Sequence, residues 1–114
     1  MQSGYIKLYR CAFKNPVVCR DSDHVAVWLF LLLKAAHKPY SVSFRGKKFF
    51  LLPGQLITSS ISISEKYCID NSKVKRVLNL FESEQMITQE SSSGGRIITI
   101  TNWLKYQQPE DDQK

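Results

Sequence analysis

Several signatures of chemistry are missing from this sequence. There is no GxxxxGKS/T phosphate loop and no HExxH pair. Its two histidines, His24 and His37, stand thirteen positions apart. On one helix they would differ by about 220° and face different ways. The one cluster of acids, Glu110, Asp111 and Asp112, has neither a Gly turn nor spaced ligands, so no metal site is expected there. Catalysis, a metal and a cofactor are therefore not expected. Long apolar runs are also lacking. The longest, Val25–Leu33, has nine residues where a bilayer needs roughly 20, so no membrane association is expected. It reads instead as a helix buried on nearly all sides. Cysteine is sparse and odd in number: Cys11, Cys19 and Cys68 show no CxxC spacing. The start, MQSGYIKLYR, is amphipathic and charged rather than a secretory leader. Free, mostly buried thiols in a reducing cytoplasm are the expectation.

Acidic residues are few against the cations. The 114 residues carry 16 Lys/Arg and 10 Asp/Glu, a net charge of +6. Three of the ten acids lie in the last six residues, so the body of the chain is more basic than the total suggests. A small basic body suits an anionic partner, most often nucleic acid. The length suits one modest core. Residues 1–107 read as one domain, and 108–114 as a polar tail or the start of a linker. No internal repeat is present.

Along the chain, Tyr5, Leu8, Tyr9 and Ala12 have helical spacing, and Asn15-Pro16 stops that helix. Asp21, Ser22 or Asp23 can cap a second helix, which carries the apolar run and ends near His37-Lys38, before Pro39. Val42 and Phe44 alternate with polar residues, Arg45-Gly46-Lys47 can turn, and KFFLL resumes an extended run. Pro53-Gly54 is a further turn and QLIT a short strand. Ser59 or Ser60 caps a short helix through about Tyr67. Asp70 caps the next, from about Asn71 to Glu84, where its carboxylate favours the positive end of the helix dipole. MITQE and RIITITN are two strands, with Gly94-Gly95 supplying the φ freedom of a hairpin tip. Trp28 belongs in the core. Trp103, Leu104 and Tyr106 either close the core or meet a partner. Tyr5, Leu8, Tyr9 and the aromatic hairpin of Phe44, Phe49 and Phe50 can bury a self-association surface or thicken the core.

The helix from 71 to 84 has the strongest pattern. Val74, Val77, Leu78 and Phe81 fall on one stripe. Ser72, Arg76, Asn79 and Ser83 fall opposite, with Lys73 and Lys75 on the flanks. A short helix, a tight turn and this helix form a helix-turn-helix, and a strand before and a hairpin after complete a winged unit. The fold expected is α+β: a winged helix-turn-helix with an added N-terminal helix and a β-hairpin between helices. The helix at 71–84 would enter the major groove of double-stranded DNA, with 86–102 as wing. Arg76 and Asn79 are residue types that read base edges. Lys73, Lys75, Ser72 and the helix N-terminus suit phosphates. Lys66 supports them, and Arg96, beside the glycine pair, would reach a phosphate or the minor groove.

Four stretches, GYIKLYRCAFKNPVV, PGQLITS, SKVKRVLNLFESEQMI and ITITNWLKYQ, come in an order that resembles the N-terminal winged-helix domain of phage and prophage replication initiators of the replisome-organiser, DnaD-like type. The resemblance covers about Gly4 to Gln107. It implies binding at a replication origin and a replicative helicase or its loader as partner. It equally allows a homodimer or higher oligomer, since in some relatives this domain serves mainly in self-association. The turn of the helix pair often has Gly in that family where this chain has Cys68. Transcriptional regulation through the same DNA contacts is a further alternative.

Overall fold

The computed structural model describes residues 15–92, 95–101 and 103. The expected N-terminal helix over Tyr5–Ala12 and the polar tail after 107 lie outside the described residues, as do Cys11, Gly94, Leu104 and Tyr106. Within them the chain is α+β, with three α-helices and two small antiparallel sheets.

Asn15 begins the described chain by turning it. Its side-chain Oδ1 accepts from the backbone N–H groups of Val17 and Val18, and a short 3-10 turn follows at Val18–Arg20. Helix α1 spans Ser22–Lys34. Of the three candidate caps the chain uses Asp21, whose carboxylate accepts from the His24 N–H at 3.0 Å. The helix ends earlier than the pattern suggests. Ala35 turns to extended backbone, and the Ala36 N–H and C=O pair with the Gln55 carbonyl and the Gly54 N–H, both at 2.9 Å. That pairing takes Ala36 out of any helix. Nor is α1 buried all round. Val27, Trp28, Phe30, Leu31 and Leu32 are buried, while Leu33 is 63% exposed, because the core lies on one side of the helix.

A hairpin follows, of β1 (Tyr40–Phe44) and β2 (Lys47–Leu51). Arg45 and Gly46 both have positive φ, 53° and 82°, the mirror-image turn whose twist matches two-residue hairpins. Strand β3 (Gln55–Thr58) leads to α2 (Ser60–Tyr67), capped by the Ser59 hydroxyl, which accepts from the Ser62 N–H at 3.1 Å. Three residues separate α2 from α3 (Asn71–Ser83), capped by Asp70. Cys68 ends α2 in the left-handed region, at φ 57° and ψ 42°, so cysteine here takes a conformation that glycine adopts more readily. The expected burial of the thiols is not met. Cys19 and Cys68 are both exposed, one on the short 3-10 turn and the other at this cap, where the chain is at the surface.

Strands β4 (Ile87–Ser92) and β5 (Gly95–Ile100) form a second hairpin. β5 is the centre of a three-stranded sheet ordered β3-β5-β4. Side chains alternate across it. Leu56, Ile87, Ile98 and Ile100 face the helices and join the main core with Ile63, Val74, Val77, Leu78 and Phe81. Ile57 and Ile97 face the other way, where Val42, Phe44, Phe49 and Leu51 of the β1–β2 hairpin cover them. Gly95 therefore has a role other than the φ freedom expected of it. A Cβ there would lie 2.5 Å from the Phe44 ring and 2.8 Å from the Thr58 carbonyl oxygen, so the residue is small because two elements approach it. Trp103 is buried and closes the core. Its ring meets His37 edge-on at 5.2 Å, and a Cβ on Gly54 would fall 2.7 Å from its own Cβ.

Candidate nucleic-acid interface

The inward stripe of α3 is as the spacing dictates: Val74, Val77, Leu78 and Phe81 are at most 2% exposed. Phe81 receives the Trp28 ring edge-on at 5.5 Å and the His24 ring at 6.2 Å, so α1 and α3 are locked through aromatic contacts. Locking that stripe fixes the direction of the opposite one. Ser72, Lys75, Arg76 and Asn79 are all exposed. Among the described residues neither Lys75 nor Arg76 has an ion-pair partner.

Lys73 differs from its neighbours. Its Nζ lies 2.8 Å from Asp21 Oδ2 and 2.9 Å from Asp23 Oδ2, so it ties the start of α3 to the start of α1. The Lys73 ammonium, with His24 next, holds the Asp21 carboxyl well below its ordinary range. Asp21, and then Asp23, raise the Lys73 ammonium in return. The phosphate role expected of Lys73 requires this double pair to open. Asp21 Oδ1 also sits 2.7 Å from His24 Nδ1, so one carboxylate caps α1, orients His24 and holds Lys73.

Arg96 lies second in β5 and close to the hairpin tip, yet its guanidinium folds back along the sheet. It donates to Gln89 Oε1 at 2.7 Å. The Gln89 amide in turn donates to Glu82 Oε1 at 3.0 Å and Asn79 Oδ1 at 3.3 Å. A polar chain thus runs from β5 through β4 to the C-terminal half of α3. Gln89 was not singled out from sequence. Its parity with Ile87 places it on the helix side of the sheet, and that parity is the one signal that could have found it.

Lys66 is set apart from this group. It is exposed on α2, 5.9 Å from the Tyr67 ring centre, on the wall of a groove of about 550 Å³. That groove lies between α1, α2 and the β1–β2 hairpin, and no α3 residue lines it. The arrangement therefore brings together Ser72, Lys75, Arg76, Asn79 and Arg96, holds Lys73 at their edge against two carboxylates, and leaves Lys66 elsewhere. Charge is graded along α3: cations occupy its first half, Glu82 lies in its last turn and Glu84 caps its end. An anion approaching this face is favoured at the N-terminal half.

Among the described residues no group of three or more His, Cys, Asp or Glu side chains is placed to hold a metal ion. No helix among them is long and apolar enough to cross a membrane. Comparison with models of known families, with curated proteins and with solved structures returns no match.

Proposed function

We propose that this chain is a winged helix-turn-helix that binds double-stranded DNA, with α3 in the major groove and β4–β5 as the wing. The element order α1-β3-α2-α3-β4-β5, the sheet order β3-β5-β4 and the three-residue turn between α2 and α3 support the fold reading. The observation that carries the function is the outward face of α3. Lys75 and Arg76 stand exposed and unpaired among the described residues, next to small polar side chains that allow close approach. Arg76 and Asn79 suit base edges, and Lys75, Ser72 and Arg96 suit phosphates. A role in phage-type replication initiation, and a helicase or helicase loader as partner, rest on the resemblance given above and on nothing further.

The test is fluorescence anisotropy with a labelled duplex. K75E and R76E should each weaken binding about tenfold or more, and they lie outside the core. Duplex affinity equal to that of the parent in both variants would remove this face from consideration. A second reading, a self-association module, is favoured by the groove beside Lys66, where Leu33 and Tyr40 are exposed. Its sign is a dimer at low micromolar concentration that is insensitive to salt and accompanied by no duplex shift.

A further inference from the structure

From His24 to Ser64 the chain has five Lys/Arg and not one Asp or Glu. Three of these cations, Arg45, Lys47 and Lys48, gather at the turn of the β1–β2 hairpin, and none has an ion-pair partner among the described residues. Their mutual repulsion is relieved by solvent and would be relieved further by a polyanion.

The hairpin has two faces. Val42, Phe44, Phe49 and Leu51 point to the three-stranded sheet and are covered by it. The register pairs Ser41 with Phe50 and Ser43 with Lys48, so these four share the opposite face, which turns away from the molecule. Phe50 is 64% exposed, and Leu52, two residues on, is 51% exposed. A single exposed apolar side chain requires no explanation. Here an exposed aromatic ring shares one strand face with Lys48, an exposed leucine follows just past the end of the strand, and the residue opposite the ring is a serine too small to cover it.

We propose that the outer face of the β1–β2 hairpin binds single-stranded nucleic acid, with Phe50 stacking on a base and Lys48, with its neighbours at the turn, meeting the phosphates. A single strand offers the two things this face lacks: negative charge at regular intervals and unpaired π-faces. A duplex hides its bases in the stack, so this site is separate from the α3 face. An anionic membrane is the other polyanion to consider. One phenylalanine and one leucine bury little apolar area, and interfacial binding scales with that area. The place is also apt. Phe44, at the end of β1, packs on Gly95 at the tip of the wing, so the basic turn lies beside the β4–β5 hairpin. The site stands on the hairpin alone and does not depend on duplex binding by α3.

The experiment uses the full chain and a labelled oligothymidine of about 20 nucleotides. F50A and K48Q alter exposed side chains only, and an unchanged thermal midpoint verifies their folding. F50A should weaken oligothymidine binding about 5- to 100-fold. K48Q should flatten the slope of log K against log salt by about 0.7. Neither should change duplex affinity, whereas K75E and R76E should change duplex affinity alone. If the parent does not bind oligothymidine, or if both hairpin variants bind it as the parent does, the site is wrong. It is equally wrong if F50A instead abolishes pelleting with phosphatidylserine vesicles or abolishes a dimer. Failure of the α3 variants to alter duplex binding would overturn the proposed function and leave the hairpin result standing.

Discussion

Removing the carboxylates that hold Lys73 should make the DNA site stronger and more salt-dependent. Among the described residues three cations of the proposed face lack a carboxylate partner: Lys75, Arg76 and Arg96, the last held by the neutral Gln89 amide. Lys73 is a fourth, but its ammonium sits between Asp21 and Asp23 at 2.8 and 2.9 Å. With about −0.9 of slope per neutralised phosphate, three contacts give roughly −2.7 and four give roughly −3.6. Between about 50 and 200 mM salt the first loses about 40-fold in affinity and the second about 150-fold. The perturbation is the double variant D21N/D23N. Asparagine caps a helix as well as aspartate, so the α1 cap at His24 N–H survives while the charge is lost. Anisotropy at four or five salt concentrations should show the parent near the shallower slope and the double variant near the steeper one. The variant should also bind more tightly at low salt. If both slopes coincide near −2.7, freed Lys73 finds no phosphate. If both lie near −3.6, DNA opens the pair unaided and the acids do not restrain the site.

Other consequences concern the fold that presents this face. Cys68→Gly should stabilise the chain by up to about 1 kcal/mol in urea unfolding, since a left-handed cysteine costs about 1–2 kcal/mol and glycine gives part of that back as unfolded-state entropy. A loss of stability would mean that the thiol makes a contact of its own. Gly95→Ala should cost about 1–3 kcal/mol, because its Cβ would meet the Phe44 ring and the Thr58 carbonyl. Adding Phe44→Ala should make the two effects less than additive, and strict additivity would refute the close approach. The Asp21–Lys73 pair gives a pH signature. Asp21 has a folded pKa below its ordinary 3.8, so its contribution is complete above 3.8 and is lost as pH falls below that value. Lys73 has a folded pKa above 10.5, so its contribution is complete below 10.5 and is lost as pH rises past it. Lys73→Met should therefore be less stable than the parent at neutral pH, with the gap narrowing below pH 3.8. A gap that stays constant into strong acid would contradict the pairing.

Much of the fold can be read from local chemistry. The caps at Asp21, Ser59 and Asp70, the turn at Arg45-Gly46 and the strand pairs on either side all follow from residue types within four positions of one another. The stripe of Val74, Val77, Leu78 and Phe81 was legible for the same reason, because period alone determines which side of a helix is apolar. Where sequence reading missed, the cause was an element distant in the chain. α1 stops at Lys34 rather than at His37 because Ala36 pairs with Gly54 and Gln55. Gly95 is required by Phe44 and Thr58, and nothing in SSSGG announces either residue.

The same distinction separates what was read of the interface from what was not. Helical period shows that Arg76 and Asn79 face outward, but it is silent about which neighbours share that space. Lys73 finds Asp21 across 52 positions, and Arg96 reaches α3 through Gln89. Both pairings depend on how α1 and β4 pack against α3. A count of cations by sequence treats Lys73, Lys75, Arg76 and Arg96 as equal contributors. Among the described residues two are unpaired, one is held by a neutral amide and one is neutralised. Binding energy at such a surface depends on the charge left uncompensated, not on the number of basic residues. Charge changes at Lys75 and Arg76 should therefore exceed the same change at Lys73, although all three lie within four positions of α3. Equal losses at the three sites would mean that the pairing with Asp21 and Asp23 has no influence on DNA binding.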